Sequence, residues 1–363
     1  MTWSLTTIKR YFILLNMKDL LQVLTEKKQK LDSYQPLKKE MVKSLEDWLK
    51  VELTYSSNAI EGNTLSRIET AEVIEKGISA IISGKQLKDQ LEAVNHAKAI
   101  EFIKLLAKKR NSHIKIVEDD INAIHKIILT GIDDEWAGRY RETEIFIKGT
   151  NVELPQPNKV PHMMNKFVQW LSTQKEAHPV RTAADTHYKL VSIHPYIDGN
   201  GRTARLLMNL ILIINGYPMA IIRNEERTQY LSALELAQTK SNIQPFYHLI
   251  DVSVKRSLDA YINAAEGKPI LPAFTENLMS EDKPLKTETY AEFLKIGELA
   301  KETDETVHTL RYWTKEGLLE VTKYTEGGYQ LYSPSMIKRV KEIRRLQSEQ
   351  RLTLAEIKKL LKN

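Results

Sequence analysis

The sequence contains no cysteine among its 363 residues. Disulfide bonds and cysteine-ligated zinc are therefore excluded, and the composition suits a reducing cytoplasm, where we expect the protein to be located. No apolar run approaches the roughly 20 residues that a membrane-spanning helix needs, so we expect no membrane partner. Lys9-Arg10 and the apolar residues after them are similar to a signal peptide, but no small-residue cleavage site follows, and we interpret Met17 as an alternative start.

The chain also lacks a strong charge of either sign, because its net charge is only +6. That excess is concentrated at one end. Residues 338–363 hold nine Lys or Arg and three Glu, a surplus equal to that of the whole chain. The remainder is therefore balanced in charge, and its length leaves room for two or three domains with sizeable cores.

Apolar residues recur at helical spacing along most of the chain, which predicts a mainly α fold. Glu144 to Val152 is instead rich in β-branched and aromatic residues around a glycine-containing turn, which predicts a small hairpin. Predicted helices cover approximately residues 36–61, the segment that begins with the capping box Ser66-x-x-Glu69, and residues 88–109, 118–129, 160–170, 182–193, 228–237 and 243–265. The predicted domains are an N-terminal helical region (1–115), a core (116–265), a proline-containing linker (266–287) and a C-terminal module (288–363).

The most informative segment runs from His194 to Arg205 and reads His-Pro-Tyr-Ile-Asp-Gly-Asn-Gly-Arg-Thr-Ala-Arg. Its two glycines allow backbone conformations that are closed to other residues, so successive N–H groups around Asn200 can face one concavity and bind an anion. Leucines and isoleucines follow at helical spacing until Asn215-Gly216. We therefore expect a helix to begin in this segment and to place its positive end at the anion site.

Three charged side chains complete this segment. Arg202 and Arg205 lie three residues apart on one helical face, so both fork-shaped donors can turn toward bound phosphates. Asp198 offers a hard oxygen ligand of the kind that Mg2+ takes when it is bound to a nucleotide. The segment can therefore hold a polyphosphate and carry out chemistry beside it.

The segment resembles the signature of the Fic family, His-Pro-Phe-x-(Asp/Glu)-Gly-Asn-Gly-Arg-x-x-Arg, and differs from it only by Tyr196 in place of phenylalanine. We expect the Tyr196 ring to pack beneath the loop with its hydroxyl group hydrogen-bonded. The resemblance implies a mainly helical fold with one hairpin, called the flap. It also implies transfer of AMP from ATP to a Ser, Thr or Tyr hydroxyl group of a target protein, with this chain itself as one such target.

The resemblance implies a role for each residue of the segment. His194 is the general base, since an imidazole with a pKa of about 6.5 can take a proton from a hydroxyl group. Asp198 holds Mg2+ between the α- and β-phosphates, Arg202 binds the β-phosphate, and Arg205 binds the γ-phosphate. The loop amides stabilise developing charge, and the asparagine side chain is a further donor. These loop residues are Gly199, Asn200 and Gly201.

Two further features near the signature fit the same family. Residues 138–141 and 160–161 are similar to the surroundings of the family's flap, whose exposed edge at residues 145–147 is expected to dock the target backbone by strand addition. His187 also occupies a position that is frequent in the family. It precedes His194 by two helical turns, about 10 Å, whereas a helical zinc pair is four residues apart, so we expect His187 to be a packing residue.

A second informative string, Ser57-Asn58-Ala59-Ile60-Glu61-Gly62, lies at the end of a predicted helix. The helix dipole disfavours a carboxylate there by about 0.3–1 kcal/mol, and taken alone Glu61 is a solvated side chain. The string resembles the inhibitory motif Ser/Thr-x-x-x-Glu-Gly on the N-terminal side of one class of Fic proteins. The resemblance implies that Glu61 pairs with Arg205, blocks the site of the γ-phosphate, and is steadied by Ser57 on the same helical face.

Residues 296–357 resemble another family, the MerR-type regulators. Segments 296–301 and 307–319 are similar to its helix-turn-helix, 327–332 to its wing, and 352–357 to the helix that follows. The resemblance implies nucleic-acid contacts by Arg311 and Tyr312 on the recognition helix and by Lys323 in the wing. Acidic residues at positions 302, 304 and 305 oppose an approach to phosphates. Docking of the target protein or self-association as a homodimer is therefore the alternative.

Three functions fit the sequence. The favoured one is a Mg2+-dependent protein adenylyltransferase that uses ATP and is inhibited by its own N-terminal helix. The second keeps the same loop but takes UTP or a phosphocholine conjugate, because Fic proteins differ in what the loop holds. The third is a DNA-binding regulator whose core only senses nucleotide, although the intact His194 and Asp198 favour an enzyme.

Overall fold

The computed structural model describes residues 20–37, 39–80, 82–109, 116–147, 150, 152–174, 176–270, 293–324, 330–349 and 352–360. These residues form two compact units, with residues 20–270 in the first and residues 293–360 in the second. Most of the linker predicted at residues 266–287 lies outside the described part. None of the described helices has both the length and the apolarity that a membrane crossing needs.

The first unit is built from helices, which confirms the predicted mainly α fold. Residues 20–33 form α1. The helices that follow are α2 (Lys39–Ile60), α3 (Arg67–Lys76), α4 (Leu87–Lys109), α5 (Glu118–Leu129), α6 (Val160–Thr173), α7 (Pro179–Ile193), α8 (Asn200–Ile214), α9 (Arg227–Lys240) and α10 (Gln244–Ala265). Short 3-10 turns cover Gly77–Ser79, Pro157–Lys159 and Asn224–Glu226.

The ends of these helices follow local signals in the sequence. α2 ends at Ile60, and Gly62 beyond it has a φ of 99°, which glycine adopts without strain. α3 begins with the predicted capping box: Ser66 Oγ accepts from the Glu69 N–H (3.2 Å), and a Glu69 carboxylate oxygen accepts from the Ser66 N–H (2.7 Å). α7 starts at Pro179, three residues before the predicted Thr182, because proline fits the first turn of a helix.

The helix of the signature, α8, lies at the centre of the first unit. It is apolar on nearly every face after its first turn, and such a helix must be enclosed by others. α7 packs against it most extensively, and α4 and α5 cover other sides. Leu206, Leu207 and Leu210 are almost completely buried, and burial of each contributes about 1.5–3 kcal/mol. The N-terminus of α8 is therefore held in place by the core.

The predicted hairpin is not formed by the described residues between Glu144 and Val152. Residues 144–147, 150 and 152 lie in no strand, while residues 148, 149 and 151 are outside the described part. Phe146 is 91% exposed, so pairing here buries no apolar face, and an isolated two-stranded hairpin is marginal in water. The described part of the flap is therefore a loop, while most of the turn predicted at residues 148–151 lies outside the described part.

The second unit is a winged helix-turn-helix domain, as predicted. Its elements in order are β1 (Leu294–Lys295), α11 (Ile296–Thr303), α12 (Val307–Lys315), β2 (Lys323–Tyr324), β3 (Gln330–Tyr332), α13 (Ser335–Glu349) and α14 (Leu354–Leu360). The central strand β3 pairs antiparallel with both β1 and β2, and Leu331 lies opposite Lys295 and Lys323. Trp313 is 2% exposed and anchors a separate apolar core. The predicted wing tip, residues 327–329, lies outside the described residues.

Candidate active site

His194 lies directly after the last residue of α7. Its backbone is left-handed (φ 52°), and its N–H donates to the Leu190 carbonyl at 2.9 Å, which closes the helix. The side-chain Nδ1 lies 3.2 Å from the Val191 carbonyl. Because a carbonyl only accepts, Nδ1 is the donor and Nε2 keeps its lone pair. Burial lowers the pKa of this imidazole, so it is neutral and can act as a base.

The loop between α7 and α8 forms the predicted concavity. Gly199 is left-handed with a φ of 76°, and α8 begins at the next residue. The N–H groups of Asn200, Gly201 and Arg202 have no hydrogen-bond partner among the described residues, as is usual for the first turn of a helix. These donors point along the positive end of α8, which is a suitable place for an anion.

The side chain of Asn200 holds the loop together and uses one of its two N–H donors within the loop. Its Oδ1 accepts from the Tyr196 N–H (3.0 Å), and its Nδ2 donates to the Tyr196 carbonyl (2.8 Å). The expectation for Tyr196 is confirmed, because its ring is fully buried and its hydroxyl group bonds to Asn122 at 2.8 Å.

His125 in α5 packs against the loop, and no sequence pattern identified it as a site residue. The rings of His125 and Tyr196 are stacked, with their centroids 3.6 Å apart. Its Nδ1 accepts from the Gly138 N–H (2.9 Å), so Nε2 carries the proton that it donates to the Asp198 carbonyl (2.9 Å). Burial lowers its pKa to about 4, which keeps this neutral tautomer. A side chain at position 199 would crowd this ring, so Gly199 is needed for its contact as well as for its φ.

Arg141 connects the loop to both ends of the flap. Its Nε donates to the His194 carbonyl (2.8 Å), and its other nitrogens donate to the carbonyls of Thr143 and Pro155. Its own N–H donates to the Pro195 carbonyl (2.9 Å). The sequence placed Arg141 in the flap surroundings but assigned it no role. The structure shows that it fixes the backbone that carries His194.

Glu61 and Arg205 form the ion pair that the resemblance implied. Glu61 Oε1 lies 2.6 Å from Arg205 Nη2. Ser57 contacts the arginine rather than the glutamate: Ser57 Oγ accepts from Arg205 Nε (2.9 Å), and the Ser57 carbonyl accepts from Nη2 (2.9 Å). The long side chain of Arg205 reaches α2 and donates to both Ser57 oxygens, so Ser57 steadies Arg205 and not Glu61.

The carboxylate of Glu61 lies in the concavity at the start of α8. A methyl group added at Gly201 would meet Glu61 Oε1 well inside van der Waals contact. Gly201 therefore provides the space in which the carboxylate sits, beside the unpaired N–H groups. An anionic ligand bound there would compete with Glu61 for both the space and Arg205.

Tyr230 contacts Arg205 directly, and His187 contacts Tyr230 in turn. The Tyr230 hydroxyl group accepts from Arg205 Nη1 (3.3 Å) and shares a hydrogen bond with His187 Nε2 (2.9 Å). His187 is fully buried, and burial lowers its pKa well below the ordinary value. Its ring also packs against Phe246. His187 is therefore a packing residue, as predicted, that acts on the site through Tyr230.

Arg202 is almost completely buried beside α4. Its Nη1 lies 2.9 Å from Glu92 Oε1, and its Nη2 lies 3.6 Å from Asp198 Oδ1. Among the described residues, neither Nε nor Nη1 makes a hydrogen bond, so the contact between Nη1 and Glu92 is an ion pair only. A buried N–H group without a partner is rare, and together with the free amides of α8 it fits a bound phosphate.

Asp198 fits a magnesium ion that a nucleotide brings with it. Its side chain is 55% exposed, and Oδ1 accepts from the Gly199 N–H at 2.6 Å. Oδ2 has no hydrogen bond to another described residue. The described residues contain no group of three or more His, Asp or Glu side chains that could hold a metal. One carboxylate with phosphate and water ligands is the usual arrangement for Mg2+.

The second unit presents part of its predicted nucleic-acid surface. Arg311 and Tyr312 are exposed on α12. Lys323 lies in β2. Glu305 forms an ion pair with Arg344, so its charge is compensated and opposes phosphate contacts less than the sequence suggested.

Each of the two units matches a known protein family. Residues 115–212 match the Fic/DOC family, and residues 294–363 match the MerR HTH family regulatory protein. The chain is 37% identical over 218 residues to the protein adenylyltransferase Fic of Nematostella vectensis, covering 60% of this chain and 49% of that protein. The corresponding protein of Aedes aegypti is 35% identical over 234 residues, covering 64% of this chain and 46% of that protein. The chain thus spans about half the length of these relatives.

Solved structures agree with this result. A Fic domain-containing signaling protein from Bacteroides thetaiotaomicron superposes with a TM-score of 0.61 at 31% identity, covering 68% of this chain and 98% of that one. Fic-1 from C. elegans gives a TM-score of 0.63 at 30% identity, covering 71% of this chain and 75% of that one. With its signature loop intact between α7 and α8, the chain belongs to the Fic/DOC family.

Proposed function

We propose that this chain is a Mg2+-dependent protein adenylyltransferase that Glu61 keeps inactive. The main support is the position of the Glu61 carboxylate, which lies against Gly201 and 2.6 Å from Arg205. An acidic group in that place stands where a phosphate group would bind. A free imidazole nitrogen on His194 at the other end of the loop supplies the base. The names of the adenylyltransferase relatives support the same activity.

The reaction we propose is a single in-line displacement. His194 Nε2 takes the proton of a Ser, Thr or Tyr hydroxyl group as the oxygen attacks the α-phosphorus of ATP. The bond from that phosphorus to the bridging oxygen of the β-phosphate breaks, and pyrophosphate leaves. The protein retains AMP as a phosphodiester. The left-handed backbone at position 194 and its carbonyl contact with Arg141 keep the imidazole at the mouth of the loop.

The phosphates of ATP would be held by the groups around the start of α8. The free amides of Asn200, Gly201 and Arg202 would bind the α- and β-phosphates, and the free Nε of Arg202 would bind the β-phosphate. The Gly199 N–H, which the sequence assigned to the same task, donates to Asp198 instead. Arg205 would bind the γ-phosphate once Glu61 leaves. Mg2+ held by Asp198 would supply charge neutralisation on the phosphates.

Phe146 supports a docking role for the flap. Its side chain is 91% exposed on the described part of the flap, where it offers an apolar contact to an incoming protein. We propose that the target protein docks here, beside His194. A hydroxyl group of the chain itself would serve as an alternative acceptor.

The chemistry is tested by following the label of the donor nucleotide. The Glu61→Gly protein is incubated with Mg2+ and with ATP that is labelled at either the α- or the γ-phosphate. We expect protein-bound label from the α-position only, and none when His194→Ala is added. Label from the γ-position would instead identify a kinase. Parallel incubation with UTP and with a phosphocholine conjugate distinguishes the other donors, and transfer from those alone would contradict the proposal.

A second proposed function, nucleic-acid binding by the C-terminal unit, is supported by the exposed Arg311 and Tyr312 on α12. Binding of this kind weakens steeply with salt, because phosphate contacts release counterions. A gel-shift titration of the full chain at two salt concentrations, with Arg311→Ala as the variant, tests it. A salt-sensitive shift that the variant loses supports binding. No shift at low salt leaves docking of a protein as the role of this unit.

A further inference from the structure

Two carboxylates from outside the signature contact its two arginines, and they differ in exposure. The Glu61 side chain, which pairs with Arg205, is 38% exposed. The Glu92 side chain, which pairs with Arg202, is 8% exposed, and the Arg202 side chain is 2% exposed. Glu61 can therefore turn into solvent when an anion binds. Glu92 is enclosed, so we expect it to stay beside Arg202 when a ligand binds.

Glu92 is also held by a second contact, which comes from the turn that carries Glu61. Asn63 Nδ2 donates to Glu92 Oε2 at 2.9 Å and to the Asp89 carbonyl at 2.9 Å. One oxygen of Glu92 is thus fixed by Asn63 while the other faces Arg202. The contact with Asn63 thus orients the Glu92 carboxylate toward Arg202, whose Nε has no hydrogen-bond partner among the described residues.

In the described part of the chain, Arg202 forms an ion pair with one other carboxylate, that of Asp198. Asp198 Oδ1 lies 3.6 Å from its Nη2, and Asp198 is the residue to which we assign the metal. A buried guanidinium group that lost Glu92 would move toward the remaining negative charge, because an unpaired buried charge is costly. Such a move would turn the Nε of Arg202 away from the phosphates, and the guanidinium group would then bind the Asp198 carboxylate that the metal needs.

We propose that Glu92 is a positioning residue for nucleotide binding: it holds Arg202 toward the β-phosphate and away from Asp198. The inference rests on the proposed function. It differs from the role of Glu61, because Glu61 blocks the site whereas Glu92 completes it. Loss of Glu61 should therefore strengthen nucleotide binding, and loss of Glu92 should weaken it.

The test uses nucleotides of different phosphate number. Binding of AMP, ADP and ATP with Mg2+ is measured by calorimetry in the Glu61→Gly protein, with and without Glu92→Gln. The amide keeps the size of the side chain and removes its charge. We expect ADP and ATP to lose about tenfold in affinity, the lower end of the cost of a lost supporting residue at a ligand site. AMP has no β-phosphate and should bind equally well to both proteins.

The matched control is Asp89→Asn in the same helix, one turn earlier. Asp89 is buried to a similar degree, but its carboxylate accepts from Thr64 and does not contact Arg202. This control should bind all three nucleotides as the parent does. A double-mutant cycle with Arg202→Gln completes the test, because Glu92→Gln should have no further effect on ADP binding once Arg202 is absent.

The outcomes separate the inference from the proposed function. If the parent Glu61→Gly protein binds no adenine nucleotide, the proposed function fails. If it binds them and Glu92→Gln changes nothing, weakens AMP as much as ADP, or weakens ADP equally without Arg202, the inference is overturned. Thermal melting shows whether Glu92→Gln is folded. If it is not, Glu92→Asp, which keeps the charge but withdraws it by one methylene group, should show the same AMP-sparing loss.

Discussion

Replacement of Glu61 by glycine should make the ligand-free protein less stable and the ATP-bound protein more stable. Without ATP, the change leaves the guanidinium group of Arg205 without its carboxylate. That side chain is only 3% exposed, whereas the Glu61 side chain is 38% exposed. Breaking a fully buried pair costs about 3–5 kcal/mol and an exposed pair contributes about 0–1 kcal/mol. Ser57 and Tyr230 still accept from Arg205, so we expect a loss of about 1–2 kcal/mol.

ATP should reverse the order of stability. A ligand present at 100 times its Kd stabilises the folded state by about 2.7 kcal/mol, which exceeds the loss. In the wild type, the same ligand must first displace Glu61 and should stabilise little. Thermal melting of the first unit with and without Mg2+ and ATP measures both effects. A loss of 1–2 kcal/mol corresponds to about 2–8 °C at this size.

Glu61→Gln separates charge from space. The amide removes the charge but still fills the space against Gly201, so ATP should stabilise this variant less than it stabilises Glu61→Gly. Glu225→Gln breaks a more exposed pair with Arg67 and serves as the control, with no effect on the response to ATP. Equal stability of Glu61→Gly and the wild type without ATP, or an equal rise of both melting temperatures with ATP, would refute the blocking role of Glu61.

Three further outcomes follow from the site. Burial lowers the pKa of His194 below its ordinary value of about 6.5 and the base must be neutral, so kcat/KM of the Glu61→Gly protein should fall toward low pH with a midpoint below 6.5; a midpoint at or above 6.5 contradicts this role. Tyr196→Phe removes the bond to Asn122 and should cost about 0.5–1.5 kcal/mol in chemical denaturation while transfer continues, and lost transfer would assign the hydroxyl group to the chemistry. Gly201→Ala should expel the Glu61 carboxylate without activation, because its methyl group fills the same space, and tight ATP binding in calorimetry would argue against a shared space.

Most of the fold follows from local signals in the sequence. Three features depend only on residues within one or two helical turns, so the sequence predicts them. They are the end of α2 before Gly62, the capping box at Ser66 and the loop between α7 and α8. The flap is different. Strand propensity reports how side chains suit a paired surface, and the exposure of Phe146 leaves no such surface in the described part.

The site was predicted only where its residues belong to a motif. His194, Asp198 and the arginines share one loop, and Glu61 was found through a second string. Glu92 and His125 come from α4 and α5, far from the signature in sequence. Buried polar residues on those helices have the same spacing as solvated ones, so no local pattern distinguishes them. Their roles became visible only when packing brought these helices against α8.

The most direct test of the account is AMP transfer in a double-mutant cycle of Glu61 and Arg205. Labelled AMP on the protein is measured for the wild type, Glu61→Gly, Arg205→Ala and the double variant at equal ATP and Mg2+. We predict that Glu61→Gly raises transfer when Arg205 is present and has little effect when it is absent, because the freed arginine must hold the γ-phosphate. Equal activation in both backgrounds would contradict inhibition through this ion pair.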